Sequence, residues 1–413
     1  MTLSDIKISI LFFLIISFPF VSRASEDDIR SFKCGKGITA DQSSMLVIDL
    51  TNDSVLLSIN ADLPLIPASI MKSSTTAALL SILPPDYRFP TRVYTTGKIY
   101  NDTLQGNLLV KGSGDPSLNS RYVADSGDIC SQIVNTLKQK KIKAIEGNLI
   151  IDESIWSGPS YPESWASGDL PHAYGTASHG LNFEDNASGG RSVKNPAAVF
   201  ESRLRTALRM ENIHFLNDSI TQETRPSLIL EHFSVPLDEI MRSCMMRSDN
   251  QYAEALFRTF PVTKGKSGSI LNAENEVTKF WKSKHAPLQG VSLIDGSGLS
   301  RKNRITANFM AHVLKTKAPD PYYPSLFPLA GQEGTLRRFL AGTPLEGYIA
   351  LKTGSMNGIQ CYAGYKLDED YNPTHIIVVM LNELKDRASA RTVIENILLN
   401  LFPNLPSSQL SKL

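Results

Sequence analysis

A surplus of charge of either sign is the first thing this 413-residue sequence lacks: 42 lysines and arginines stand against 41 aspartates and glutamates, a formal net charge of +1. Holding a phosphate backbone needs a concentrated basic surplus, and no long basic run supplies one, so nucleic acid is excluded as the main partner. Long hydrophobic runs are missing too. The longest, residues 8–21 (ISILFFLIISFPFV), stops short of the ~20 residues that a spanning helix requires. Cysteine is scarce. The four present, Cys34, Cys130, Cys244 and Cys361, lie far apart and lack the spacing of a zinc site.

What is present reads as a globular chain of two or three domains, 42% hydrophobic and 20% charged. The apolar run 8–21 follows Lys7 and precedes Ser22-Arg23-Ala24, which places small residues three and one positions before a cut. That pattern predicts a signal peptide over 1–24, cleaved near Ala24, and no integral membrane segment after processing. In an oxidising compartment the four cysteines allow up to two disulfides, in three complete pairings.

Along the mature chain, MLVIDL (45–50) and VLLSI (55–59) flank Asn52-Asp53 and predict a β-hairpin. Residues 69–83 predict a helix stopped by Pro84-Pro85. From 87 to about 225 the texture changes to short alternating strands, with helices over 131–142 and 196–210 and loops over 161–190. A helical stretch over 235–258, broken near Arg247-Ser248, comes next. Strands at 351–354, 361–367 and 375–381 and an amphipathic helix at 387–402 close the chain. The first and last strands can share one sheet. The expected architecture is therefore an α/β (α+β) domain, an antiparallel sheet covered by helices, built from 25–86 and 226–413 and interrupted by one inserted, mostly-β domain over 87–225.

PASIMKSS (67–74) places Ser69 and Lys72 three apart at the start of a helix, one above the other on a single face. Ser69 there is either a helix cap or a nucleophile, because a lysine buried beside a second cation can lose its proton and act as a base. Ser4 and Lys7 repeat the spacing inside the segment expected to be discarded. Lys352-Thr353-Gly354-Ser355 supplies the second cation, on a strand whose glycine leaves room for a ligand backbone. Ser-x-Asn occurs four times, beginning at Ser58, Ser117, Ser248 and Ser355, yet only Ser248-Asp249-Asn250 lies between the other two elements and outside the insertion.

With PASIMK (67–72), YRFPT (87–91), GSGDPSL (112–118), RSDNQYAEAL (247–256), DGSGLSR (295–301), AGQEGTLRRFLAG (330–342) and LKTGSMNG (351–358) in this order, the sequence resembles the serine-type penicillin-binding proteins. Within them it is similar to the D-alanyl-D-alanine carboxypeptidases and endopeptidases that carry a large insertion after the nucleophile helix. The stretch 182–196 is shorter than in fuller members, which implies one inserted domain.

The resemblance implies roles residue by residue. Ser69 would attack the scissile D-Ala carbonyl and form an acyl-enzyme, with Lys72 taking its proton. Ser248 would relay that proton to the leaving amine, and Asn250 would orient Lys72 and the substrate. Lys352 and Thr353 would hold the peptide carboxylate, and the backbone N–H groups of Ser69 and Ser355 would form the oxyanion hole. The implied partners are peptidoglycan stem peptides and β-lactam antibiotics in the periplasm, with cleavage of D-Ala-D-Ala and of D-Ala-meso-diaminopimelate cross-links as the candidate reactions. Two other readings stay open. A serine β-lactamase would need a carboxylate base in a Glu-x-x-Leu-Asn setting, and none of Glu254, Glu274, Glu276, Glu333 and Glu346 has it. A non-catalytic cell-wall scaffold would not require the trio intact. DGSGLSR is expected to be a structural glycine turn, and the insertion is expected to contribute substrate choice more than chemistry.

Overall fold

A computed structural model describes residues 24–124, 127–217 and 225–403. Residues 1–23 of the expected signal peptide lie outside them.

The hairpin forms as β1 (Ser43–Asp49) and β2 (Val55–Ile59). Late in the chain come β3 (Ile349–Met356), β4 (Ile359–Leu367) and β5 (Pro373–Leu381). They join in the order β3-β4-β5-β1-β2, antiparallel throughout, with Ser43 opposite Leu381 and Asp49 opposite His375. Alternation along β5 explains its unbroken apolar run. Ile376, Val378 and Met380 enter one core, while Ile377, Val379 and Leu381 enter the other. Truncating such a fully buried side chain to alanine costs about 2–5 kcal/mol.

Helix α1 (Glu26–Lys33) and the terminal helix Arg387–Leu401 cover one face, where Phe32, Ile394 and Leu398 are buried. The other face carries α2 (Met71–Leu80), which is buried along its whole length. Small side chains in MKSSTTAALL let it sit in the centre of the domain. Two of its hydroxyls are satisfied by bonds to backbone: Thr76 donates to the Lys72 carbonyl at 2.8 Å and Thr75 to that of Gly296 at 2.8 Å.

Between α2 and the next helix of this domain the chain makes its long excursion. Among the described residues the excursion holds two four-stranded sheets, α3 (Ile129–Gln139) and α4 (Pro196–Met210), around one core. Strand Ser227–Phe233, which the sequence placed after the insertion, pairs with Pro90–Thr95 inside it. The excursion therefore runs beyond 225 and closes where Ser234 N donates to the Phe89 carbonyl at 3.0 Å and Phe89 N donates to Ser234 Oγ at 2.8 Å.

The chain then forms α5 (Leu237–Arg247), α6 (Asn250–Val262), α7 (Ile270–Ser283) and α8 (Ala307–Lys317), packed with α2 on the sheet. Neither of the two disulfides that the cysteine count allowed is present. All four cysteines are free thiols, Cys34 exposed at the end of α1 and the others buried in α3, α5 and β4. Among the described residues no helix is long and apolar enough to cross a membrane, and no group of histidine, cysteine and acidic side chains could hold a metal ion.

Candidate active site

Ala68–Ile70 form one tight turn that runs directly into α2, so Ser69 stands one turn ahead of Lys72 on the same face. Ser69 is half-buried and Lys72 fully buried. The ammonium nitrogen Nζ of Lys72 lies 2.9 Å from Ser69 Oγ, 2.6 Å from Asn250 Oδ1 and 2.8 Å from the Ser297 carbonyl.

Asn250 is brought there by the break in the helical stretch. Ser248 ends α5 in the left-handed region at φ 59°, and the Asp249 side chain then caps α6 by accepting from Tyr252 N at 3.2 Å. The Asn250 amide nitrogen donates to the Tyr174 carbonyl at 2.6 Å. That bond fixes which end of the amide faces Lys72. Tyr174 belongs to the insertion, which thus supplies a direct partner of a motif residue. The Ser248 hydroxyl is half-buried and makes no hydrogen bond among the described residues.

Ser297, whose contact with Lys72 the sequence did not reveal, sits in the DGSGLSR loop. That loop is a tight turn organised around one carboxylate. Asp295, fully buried, accepts from Gly298 N, Ser300 N, Asn303 Nδ2 and Trp165 Nε1 at 2.7–2.8 Å. Gly298 has φ +82°, and a Cβ there would lie 1.9 Å from the Ala68 carbonyl, which presses the turn against the segment that carries Ser69.

On the other side runs β3, the edge strand. Leu351 N donates outward to the Pro328 carbonyl at 3.1 Å, away from β4. Strand alternation then turns the N–H groups of Thr353 and Ser355 to the same outer edge. Along that edge a Cβ on Gly354 would come 2.6 Å from the Pro67 carbonyl and 3.1 Å from Ser69 N, so only glycine admits this approach of strand and nucleophile turn. Lys352 is fully buried and donates to the Thr353 carbonyl at 2.9 Å. Thr353 Oγ1 bonds Thr335 Oγ1 at 2.6 Å, a partner from AGQEGTLRRFLAG that the sequence reading had not singled out.

Burial lowers the basicity of both lysines. Lys72 falls below its ordinary range through desolvation, although the acidic groups of Cys244, Asp249, Asp295 and Glu254 pull it partly back. Lys352 falls further, first through desolvation and then through the positive charge of Lys72. A helix-borne serine beside a desolvated amine, flanked by a Ser-x-Asn turn and an edge strand, is an arrangement for acyl transfer.

A model of the D-Ala-D-Ala carboxypeptidase 3 (S13) family matches residues 33–189 and 184–400. The chain belongs to this family. The chain is similar to the Haemophilus influenzae protein D-alanyl-D-alanine carboxypeptidase DacB, 25% identical over 393 residues that cover 77% of this chain and 80% of that one. Carboxypeptidase DacB of Mycolicibacterium smegmatis is 29% identical over 344 residues, covering 78% and 72%. The crystal structure of penicillin binding protein 4 (dacB) from Haemophilus influenzae superposes with a TM-score of 0.79 at 22% identity, across 91% of this chain and 98% of that one. That likeness confirms the expected fold, a penicillin-binding α/β domain interrupted by an insertion. The S13 assignment makes the chain a serine-type carboxypeptidase, as the ordered motifs had implied.

Proposed function

We propose that this carboxypeptidase cleaves D-Ala-D-Ala ends of peptidoglycan stem peptides, and D-Ala-meso-diaminopimelate cross-links, through an acyl-enzyme on Ser69. One observation carries the reading. A neutral amine has two N–H bonds and one lone pair, and two of the three contacts of Lys72 Nζ, Asn250 Oδ1 and the Ser297 carbonyl, are obligatory acceptors. They take both hydrogens. The lone pair is left for the Ser69 hydroxyl at 2.9 Å.

As Ser69 Oγ attacks the scissile carbonyl carbon, its proton passes to Lys72 and a tetrahedral oxyanion forms between the N–H groups of Ser69 and Ser355. Each such donor is worth roughly 3 kcal/mol. Collapse breaks the C–N bond, and the proton reaches the leaving amine through Ser248. Water then hydrolyses the ester. Lys352 and Thr353 hold the substrate carboxylate. No step needs a metal or cofactor, and β-lactams would acylate the same hydroxyl. Penicillin binding protein 4 of Haemophilus influenzae has been solved with a β-lactam, which supports that reading. The substrate places the enzyme in the periplasm, after cleavage near Ala24.

Labelling with a fluorescent penicillin tests the proposal. A stable covalent label, abolished in a folded Ser69→Ala variant, is expected. A transient label would indicate a serine β-lactamase, no label a cell-wall scaffold, and a label surviving Ser69→Ala another nucleophile; each overturns the proposal. Digestion of purified peptidoglycan, with the released fragments identified, decides the cross-link activity: only free D-Ala would remove it.

A further inference from the structure

Glu254 is almost completely buried, one turn beyond Asn250 on the same helix, and so shares its face. Its Oε1 accepts from Ser297 N at 2.8 Å. Ser297 in turn presents its carbonyl to Lys72 Nζ at 2.8 Å. Asn250 and Glu254 therefore reach the same amine from one helix, the first directly and the second through the backbone of residue 297.

We infer that Glu254 is a positioning residue of this enzyme, which fixes the Ser297 carbonyl against Lys72 and thereby aims the amine lone pair at Ser69. The inference rests on the reading of Lys72 as the base. If Ser297 were free to move, one N–H of the neutral amine would lose its acceptor and could turn towards Ser69, and the lone pair would no longer point at the hydroxyl.

The surroundings suit a carboxyl group that carries no charge. Glu254 faces Asp295 from the loop, Lys72 from α2, Cys244 from α5 and Arg258 on its own helix. Burial and then Asp295 push its carboxyl up to about 8. Protonated, it still accepts from Ser297 N and adds no anion beside the amine. Ionised, it raises the basicity of Lys72 and opposes loss of the lysine proton.

The test is the rate of penicillin acylation against pH for the full-length enzyme and three variants. Glu254→Gln keeps an acceptor for Ser297 N and cannot ionise. Its rate at pH 7 is expected within about twofold of wild type, and its curve should reach the plateau at lower pH, because the anion that holds back Lys72 is gone. Glu254→Ala should lose about tenfold or more in the acylation rate constant, with little change in penicillin affinity, since the Ser297 amide is left unpaired. Superimposable pH curves for wild type and Glu254→Gln overturn the inference, as does a wild-type rate in Glu254→Ala. If the alanine variant does not fold, the curve of the glutamine variant decides. Lys72→Ala separates the two levels: wild-type acylation without Lys72 removes the base assignment itself, whereas an inactive Lys72→Ala beside an unmoved Glu254→Gln curve removes only the role of Glu254.

Discussion

The carbonyl of Tyr174 accepts a hydrogen bond from the Asn250 side chain at 2.6 Å, and so an inserted loop sets the orientation of a residue that touches Lys72. The same loop region is tied to the other side of the site, where Trp165 Nε1 donates to Asp295 at 2.8 Å.

Replacing residues 171–175 by a glycine-serine linker of equal length should therefore slow acylation by about tenfold or more, the range set by losing one or two buried hydrogen bonds. Melting should change little, because His172 and Tyr174 are exposed and belong to neither core of the catalytic domain. A linker variant that acylates at the wild-type rate would show that Asn250 holds its orientation unaided.

Lys352→Ala should slow acylation at every pH and leave the shape of the profile nearly unchanged. Of the two buried lysines it is Lys352 that burial and the charge of Lys72 lower further, so the expected loss is that of the carboxylate partner and not of a charge that tunes Lys72. An acylation profile that matches wild type at every pH would remove Lys352 from carboxylate binding.

Gly298→Ala forces a Cβ to within 1.9 Å of the Ala68 carbonyl at a backbone φ of +82°. Strain of this kind costs about 1–3 kcal/mol, and here it displaces the turn that carries the nucleophile. Both the melting temperature and the acylation rate should fall. Loss of stability at an unchanged rate would mean that the 296–298 turn and the nucleophile segment are not rigidly coupled.

Glu254→Gln should be more stable than wild type at neutral pH. A carboxyl with a folded-state value near 8, against an ordinary 4.5, binds a proton on folding, so wild type loses stability as pH rises from about 4.5 to about 8 and no further above that. The difference in melting temperature between variant and wild type should open across that window and then level off. A constant difference from pH 4 to 9 would show that the buried carboxyl does not change protonation on folding.

Much of this architecture was legible beforehand. β1, β2 and β5 carry period-two or continuous apolar runs between strong turn signals, and the break at Arg247-Ser248 announced itself by polarity in the middle of a helical pattern. Ser69, Lys72 and Asn250 converge as the motif order implied. Helices α7 and α8 went unassigned although Ser269 and Thr306 cap them, because their apolar positions are diluted by polar residues packed at the surface. Strand Ser227–Phe233 was placed outside the insertion because pairing with Pro90–Thr95 is a long-range contact without a local signature. The contributions of Ser297 and Tyr174 were invisible for a deeper reason. Both act through main-chain carbonyls, which every residue possesses, so no side-chain motif can report them.

The excursion leaves and rejoins the catalytic domain at a narrow doorway, where Phe89 faces Ser234, Tyr87 faces Leu237 and Pro85 faces Asp238. To the five-stranded sheet the whole module is a closed loop, and loop-closure entropy rises by only about 0.6 kcal/mol for each doubling of length. Modules of very different size can therefore hang from the same doorway without asking any strand to change its register. What a replacement would have to bring with it is a set of polar contacts: a carbonyl where Tyr174 holds one to Asn250, an indole N–H where Trp165 reaches Asp295, and the carbonyls of Ser157, Ser160 and Ser178 that accept from the buried Arg258.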